Sequence, residues 1–209
     1  MTLQEARLYL VAPARLRAGS LAELTPELAG AGVDLIQLRE KDLEAGVLLR
    51  AAEPVAQACA DAGVPFIVND RPDVALVLGA TGVHLGQEDL PAAAARRIVG
   101  ADAIIGLSTH SSGDLEAIPP EVDYIAVGPV FETPTKPGRP AVGVELLRHA
   151  TAATSLPWFA IGGIDAFNIN EVLDAGARRV VVVRAITQAD DPVAAAEQLS
   201  ERLRSASFP

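Results

Sequence analysis

The residues able to do chemistry gather at the ends of short apolar runs. "QLREK" places Gln37, Arg39 and Lys41 behind one run, and "FIVND" ends in Asn69 and Asp70. "HLGQED" carries His84, Gln87 and Asp89, and "GLSTH" carries Ser108 and His110. "GPVFETPTKPGR" adds Thr133, Thr135, Lys136 and Arg139, "AIGGI" supplies Gly162 and Gly163, and "VVVRAI" carries Arg184. This set suits phosphate chemistry. Arg39 and Lys41 stand at alternate positions and so share one side of an extended chain. The threonines and Lys136 are anion-seeking donors. A glycine pair lets backbone N–H groups approach a phosphate closely. Asp70 and Asp89 are hard oxygen ligands, suited to Mg²⁺ bound jointly with a diphosphate. Two cationic clusters and a carboxylate pair imply two phosphorylated groups, one with a metal. That is a transfer reaction rather than an isomerisation.

Taken singly, each residue has a plainer role. Arg39, Lys41, Asp70 and Asp89 suit solvated surface charges. Asn69-Asp70 suits a turn and N-cap before a helix. His84 and His110 suit hydrogen-bonded structural histidines, and Gly162-Gly163 a tight turn. Their joint position favours the functional reading, because unrelated surface charges would not choose one end of every run.

The apolar runs must do the positioning. There are eight, rich in Val and Ile: 7–12, 35–39, 66–70, 82–86, 104–109, 124–130, 158–164 and 179–186. Most are apolar at consecutive positions, as in strands buried on both faces. Between them lie Ala- and Leu-rich segments with helical spacing, several closed by glycine (Gly32, Gly63, Gly176). Asp191-Pro192 is a good N-cap and first-turn pair. Pro54 should kink or split its helix. Eight strands alternating with helices in 209 residues predict a single-domain (β/α)8 TIM barrel over 1–209. A doubly wound open sheet is the alternative, but no G-x-G-x-x-G follows the first strand. In a barrel, all the strand ends named above converge on one rim.

Composition narrows the field. Half the residues are hydrophobic but only 4% are aromatic, so Ala, Val, Leu and Ile must fill the core. The net charge of −10 argues against nucleic acid as a partner, while a local cationic cluster still suits a small anion. The lone cysteine, Cys59, allows no internal disulfide and reads as a small buried hydrophobe. No signal peptide or membrane span is recognisable, so a cytoplasmic protein is expected. Homo-oligomerisation stays open.

The motifs "QLREK", "VNDRPDVAL", "GVHLGQEDLP", "GLSTH", "DYIAVGPVFETPTKPG" and "AIGGI" resemble those of the thiamine-phosphate synthases, and the similarity runs from about Leu8 to Gln198. The resemblance implies a (β/α)8 barrel. It implies two small substrates, 4-amino-2-methyl-5-(diphosphooxymethyl)pyrimidine and 4-methyl-5-(2-phosphooxyethyl)thiazole, joined to thiamine phosphate with loss of diphosphate. It implies that Gln37, Arg39 and Lys41 bind the pyrimidine diphosphate, with Asn69 and Ser108 completing that site; His84 is a further substrate-binding candidate. Asp70 and Asp89 match the Mg²⁺ ligands, and Lys136 the lysine on the diphosphate. Thr133, Thr135, Gly163, Val183 and Arg184 match the thiazole-phosphate site. Arg39, Lys41, Ser108 and Lys136 are the catalytic candidates.

At Arg184 some family members carry Ser, so its side chain either adds a phosphate contact or leaves that to the backbone. Two rival functions share the fold. One is a thiazole tautomerase using a histidine at "GLSTH", which His110 keeps open; the other is a phosphate-ligand sensor without chemistry. The carboxylate pair and the full "TPTK" motif favour the synthase.

Overall fold

The computed structural model describes residues 3–133 and 140–206. Eight parallel strands close into a barrel in sequence order, with β8 paired to β1. They are β1 Leu8–Ala12, β2 Leu35–Leu38, β3 Phe66–Asn69, β4 Gly82–Leu85, β5 Ile104–Thr109, β6 Tyr124–Val127, β7 Trp158–Ile161 and β8 Val180–Val182. The described helices are α1 Leu21–Gly30, α2 Ala45–Ala62, α3 Pro72–Leu78, α4 Ala92–Val99, α5 Ser112–Glu116, α6 Glu145–Ala153, α7 Ile169–Asp174, α8 Arg184–Thr187 and α9 Pro192–Ser205. The expected (β/α)8 barrel is the fold.

The consecutive apolar residues are explained by two separate cores. In β1, Leu8, Leu10 and Ala12 pack outward under the helices, while Tyr9 and Val11 point into the barrel. The same alternation sends Ile36, Val68, Val83, Ile105, Ile125, Ala160 and Val182 outward. Leu35, Ile67, Tyr124, Phe159 and Val181 fill the interior. Both faces of each strand are dry, so both parities must be apolar. The exceptions are informative. Gln37, Asn69, His84 and Ser108 are buried polar residues, and all four fall on the inward parity near the C-terminal ends of β2 to β5.

Three local expectations are corrected. Pro54 does not split α2, which runs unbroken from Ala45 to Ala62. Pro54 and Arg50 are exposed, so the Arg50 carbonyl that loses its helical partner can turn to water. The eighth run is not one strand through 186: β8 stops at Val182 and Arg184 opens the short helix α8. Val180 to Val183 are apolar without a break, and periodicity alone cannot tell where the strand stops. The sixth and seventh runs likewise leave the sheet early, at Val127 and Ile161. Asp191 does cap α9, accepting hydrogen bonds from the N–H groups of Val193 and Ala194. Gly63 ends α2 in the left-handed conformation at φ 67°. Cys59 is fully buried, and burial pushes its thiol up to about 12, leaving it an inert packing residue.

Candidate active site

The rim at the C-terminal ends of the strands encloses a cleft with two lobes. One lobe, of about 70 Å³, is walled by Gln37, Arg39, Lys41, Asn69, Asp70 and Asp89, with His84 and Ser108 at its base. The other, of about 280 Å³, is lined by His110, Thr133, Gly162, Gly163, Val183 and Arg184. Ser108, Ile161, Val181 and Val183 border both, so the lobes meet. Among the described residues, every candidate from the sequence except Gln87 lines this cleft. Thr135, Lys136 and Arg139 lie outside the described residues.

Strand parity explains most of the first lobe. Gln37, Arg39 and Lys41 continue the inward positions of β2 beyond its end. Asn69 and Asp70 are successive, and an extended chain would send them to opposite sides. Both line the lobe because Asp70 leaves the extended conformation, with φ 61°. Aspartate tolerates that left-handed region better than most residues, and such strain concentrates at functional sites. Asp70 is not the N-cap of α3: that position is Arg71, which makes no side-chain capping bond.

The two carboxylates follow the paired strands β3 and β4 and meet. Asp89 Oδ2 accepts the Gly86 N–H at 2.7 Å, which turns its carboxylate back to the end of β4. Gly86 permits this, since a Cβ there would sit 2.8 Å from that oxygen. Asp70 lies against Asp89, and Lys41 Nζ stands 3.6 Å from Asp70 Oδ2. Burial, and then the neighbouring Asp89, push the Asp70 carboxyl up to about 6; Lys41 offsets only part of this. No cluster of three or more His, Cys, Asp or Glu suited to a metal exists among the described residues.

The glycine pair has a packing role beside any ligand role. A Cβ on Gly162 would fall 2.4 Å from Pro129 Cα, and one on Gly163 2.8 Å from Phe131 Cβ. Val130 N–H donates to Ile161 O at 2.8 Å and Phe131 N–H to Gly162 O at 3.0 Å. The loop leaving β6 is thus zipped to the end of β7, and side chains at 162 and 163 would hold them apart. His110 Nδ1 is bonded to Gly128 O, and its backbone N–H donates to Asp114 Oδ2 at 2.6 Å. Gln87 Nε2 donates to Ser108 O at 2.6 Å.

Beneath the first lobe runs a chain of buried hydrogen bonds that the sequence reading missed. Gln37 Nε2 donates to the Tyr9 hydroxyl. The Tyr9 and Tyr124 hydroxyls are 2.9 Å apart. Tyr124 reaches His84 Nδ1 at 3.0 Å, and His84 Nε2 reaches Ser108 Oγ at 3.0 Å. Phe159 packs edge-on against both tyrosine rings at 5.4 and 5.6 Å between centroids. One signal could have found the tyrosines. They are the chain's only two, each sits inside an apolar run, and a buried phenol needs a partner.

Residues 8–186 match the family model described as thiamine monophosphate synthase. The chain belongs to the thiamine monophosphate synthase family. A thiamine-phosphate synthase from Streptomyces avermitilis is 54% identical over 207 residues, covering 98% of this chain and 96% of that one. One from Acidothermus cellulolyticus is 52% identical, with 98% of each chain covered. A solved thiamine phosphate pyrophosphorylase from Pyrococcus furiosus superposes with TM-score 0.88 at 30% identity over 99% of both chains. A 3-hexulose-6-phosphate synthase, 19% identical with TM-score 0.64 over 93% of this chain and 98% of that one, shares the fold alone. Members of the thiamine monophosphate synthase family this similar are transferases, and this chain is a transferase with them. The tautomerase and sensor readings gain no support from these relatives. No described helix is long and apolar enough to cross a membrane.

Proposed function

We propose that the two-lobed cleft holds both substrates of thiamine phosphate synthesis at once, the aminopyrimidine diphosphate in the first lobe and the thiazole phosphate in the second. The carrying observation is the pairing of Asp70 with Asp89 beside Lys41 and Arg39, in a lobe that opens directly into the one lined by Gly163 and Arg184. Arg39, Lys41 and Lys136 take the diphosphate. Gln37, Asn69, His84 and Ser108 hold the pyrimidine. Thr133, Thr135, Gly163 and the Val183-Arg184 backbone take the thiazole phosphate.

Asp70 and Asp89 fit Mg²⁺. They are adjacent carboxylates whose mutual repulsion a dication would relieve, and Mg²⁺ needs only one or two carboxylates when phosphate oxygens and water complete its shell. When bound, Mg²⁺ supplies positive charge beside the leaving diphosphate.

Substitution proceeds by dissociation. The bond between the methylene carbon and its ester oxygen breaks, and the electron pair leaves with the diphosphate. The pyrimidine amino group feeds electron density into the methylene cation. Arg39, Lys41 and Lys136 stabilise the charge that builds on the leaving group. The thiazole nitrogen, held close by, donates its lone pair and forms the new C–N bond. No proton is transferred in these steps, so no general base is needed.

The test is direct. Folded protein is mixed with both substrates and Mg²⁺ and assayed for thiamine phosphate and diphosphate. Formation of both in equal amounts supports the reading; recovery of unchanged substrates overturns it.

A further inference from the structure

We propose that Tyr9 and Tyr124 are specificity-determining positioning residues, coupling the amide of Gln37 to the hydroxyl of Ser108 so that one end of the chain accepts from the ligand while the other donates. The inference rests on the reading above that both ends face the pyrimidine. It follows from hydrogen-bond arithmetic in a closed space. Tyr9 and Tyr124 are fully buried, and Gln37, His84 and Ser108 are nearly so. Each phenol has one proton to give. Burial raises both phenol pKa values, so both stay protonated.

The amide orientation fixes the rest. An amide nitrogen cannot accept, so with Gln37 Nε2 toward Tyr9 the Tyr9 proton points to Tyr124. Tyr124, already accepting, gives its proton to His84 Nδ1. With Nδ1 accepting, the His84 ring proton sits on Nε2 and is donated to Ser108 Oγ. The Ser108 proton is left for the cleft, and Gln37 Oε1 faces the cleft as an acceptor. Turning the amide over reverses every bond. Gln37 then offers its NH₂ group to the cleft, and Ser108, now donating to His84 Nε2, offers only lone pairs. The two polarities share one rule: the ends are opposite. A 4-aminopyrimidine matches this rule, since its amino group donates and its ring nitrogens accept. A ring offering acceptors at both points does not.

Gly106 and Tyr124 are register partners across β5 and β6. A Cβ on Gly106 would lie 2.1 Å from Tyr124 Cζ and 2.4 Å from its hydroxyl oxygen. The strand gives up a side chain there, and the Tyr124 hydroxyl uses that space to lie between Tyr9 and His84.

The test separates polarity from packing. Two non-reacting ligands are compared by calorimetry: 4-amino-2-methyl-5-(phosphooxymethyl)pyrimidine and its 4-methoxy counterpart, which carries acceptors only. Wild type should favour the amino ligand by about a hundredfold or more, since a buried donor or acceptor left facing its like is costly. Tyr124→Phe and Tyr9→Phe each cut the chain and free Gln37 to reorient independently of Ser108. Both should narrow the preference by about tenfold or more. Phe159→Leu loosens the same aromatic layer without touching the chain and should leave the ratio alone. An unchanged ratio in both tyrosine variants, or equal narrowing in Phe159→Leu, overturns the proposal. Failure of the wild type to make thiamine phosphate counts against the proposed function alone, because these affinities are read without turnover.

Discussion

The ring of Tyr124 occupies the space that a side chain at Gly106 would need. The two residues pair directly across neighbouring strands, and a Cβ on Gly106 would overlap the phenol itself. The overlap is with a rigid ring packed on Phe159 and Tyr9, not with the free end of a flexible chain. The glycine of "IIGLST" is therefore fixed by its partner rather than by its own backbone.

Gly106→Ala should cost about 1–3 kcal/mol of stability by overpacking. It should also displace the Tyr124 hydroxyl from His84 and lower turnover per folded molecule. Chemical denaturation and steady-state rates on one preparation check both. Wild-type stability with wild-type turnover would show that the barrel absorbs the methyl group and that the contact is unimportant.

Asp70→Asn and Asp89→Asn should each remove most turnover while leaving thiazole-phosphate affinity within about twofold, a change of under about 0.5 kcal/mol. Asparagine is the right replacement at 70 because it, too, tolerates positive φ. Chelation of Mg²⁺ should reproduce the effect in the wild type. Full turnover in excess chelator removes these carboxylates from a metal-binding role.

Arg39→Ala should weaken the pyrimidine diphosphate far more than the thiazole phosphate, because Arg39 lines the first lobe and not the second. Loss of one charge-assisted contact is worth about 1.5–3 kcal/mol, roughly tenfold to a hundredfold in affinity. Separate calorimetric titrations decide it. Equal losses for the two ligands would mean that the division of the cleft is wrong.

Lys136→Ala should separate rate from stability. The residue stands in the polar stretch "TPTKPGR", so unfolding should shift by no more than about 0.5 kcal/mol. Removing a cation from the leaving group should cost about 2–4 kcal/mol of transition-state stabilisation. A variant that unfolds more easily yet turns over normally would make the lysine structural.

Much of this protein is determined locally and could be read along the chain. Apolar runs at regular intervals specify strands, Ala-rich spacing specifies helices, and the polar residues closing the runs mark one rim of the barrel. That Arg39, Lys41, Asp70 and Asp89 share one lobe could be expected from the sequence because each follows a buried strand at its C-terminal end. The tertiary structure alone decided three things. It decided where β8 yields to α8, because Val180 to Val183 are apolar whichever element they enter. It decided that Asp70 joins Asn69 on the cleft, because a single positive φ reverses the alternation that an extended chain would impose. And it decided that Gln37, Tyr9, Tyr124, His84 and Ser108 form one chain of hydrogen bonds. Their strands are first, second, fourth, fifth and sixth in order. Only closure of the barrel brings β1 and β6 face to face, so no spacing within the sequence could announce that contact.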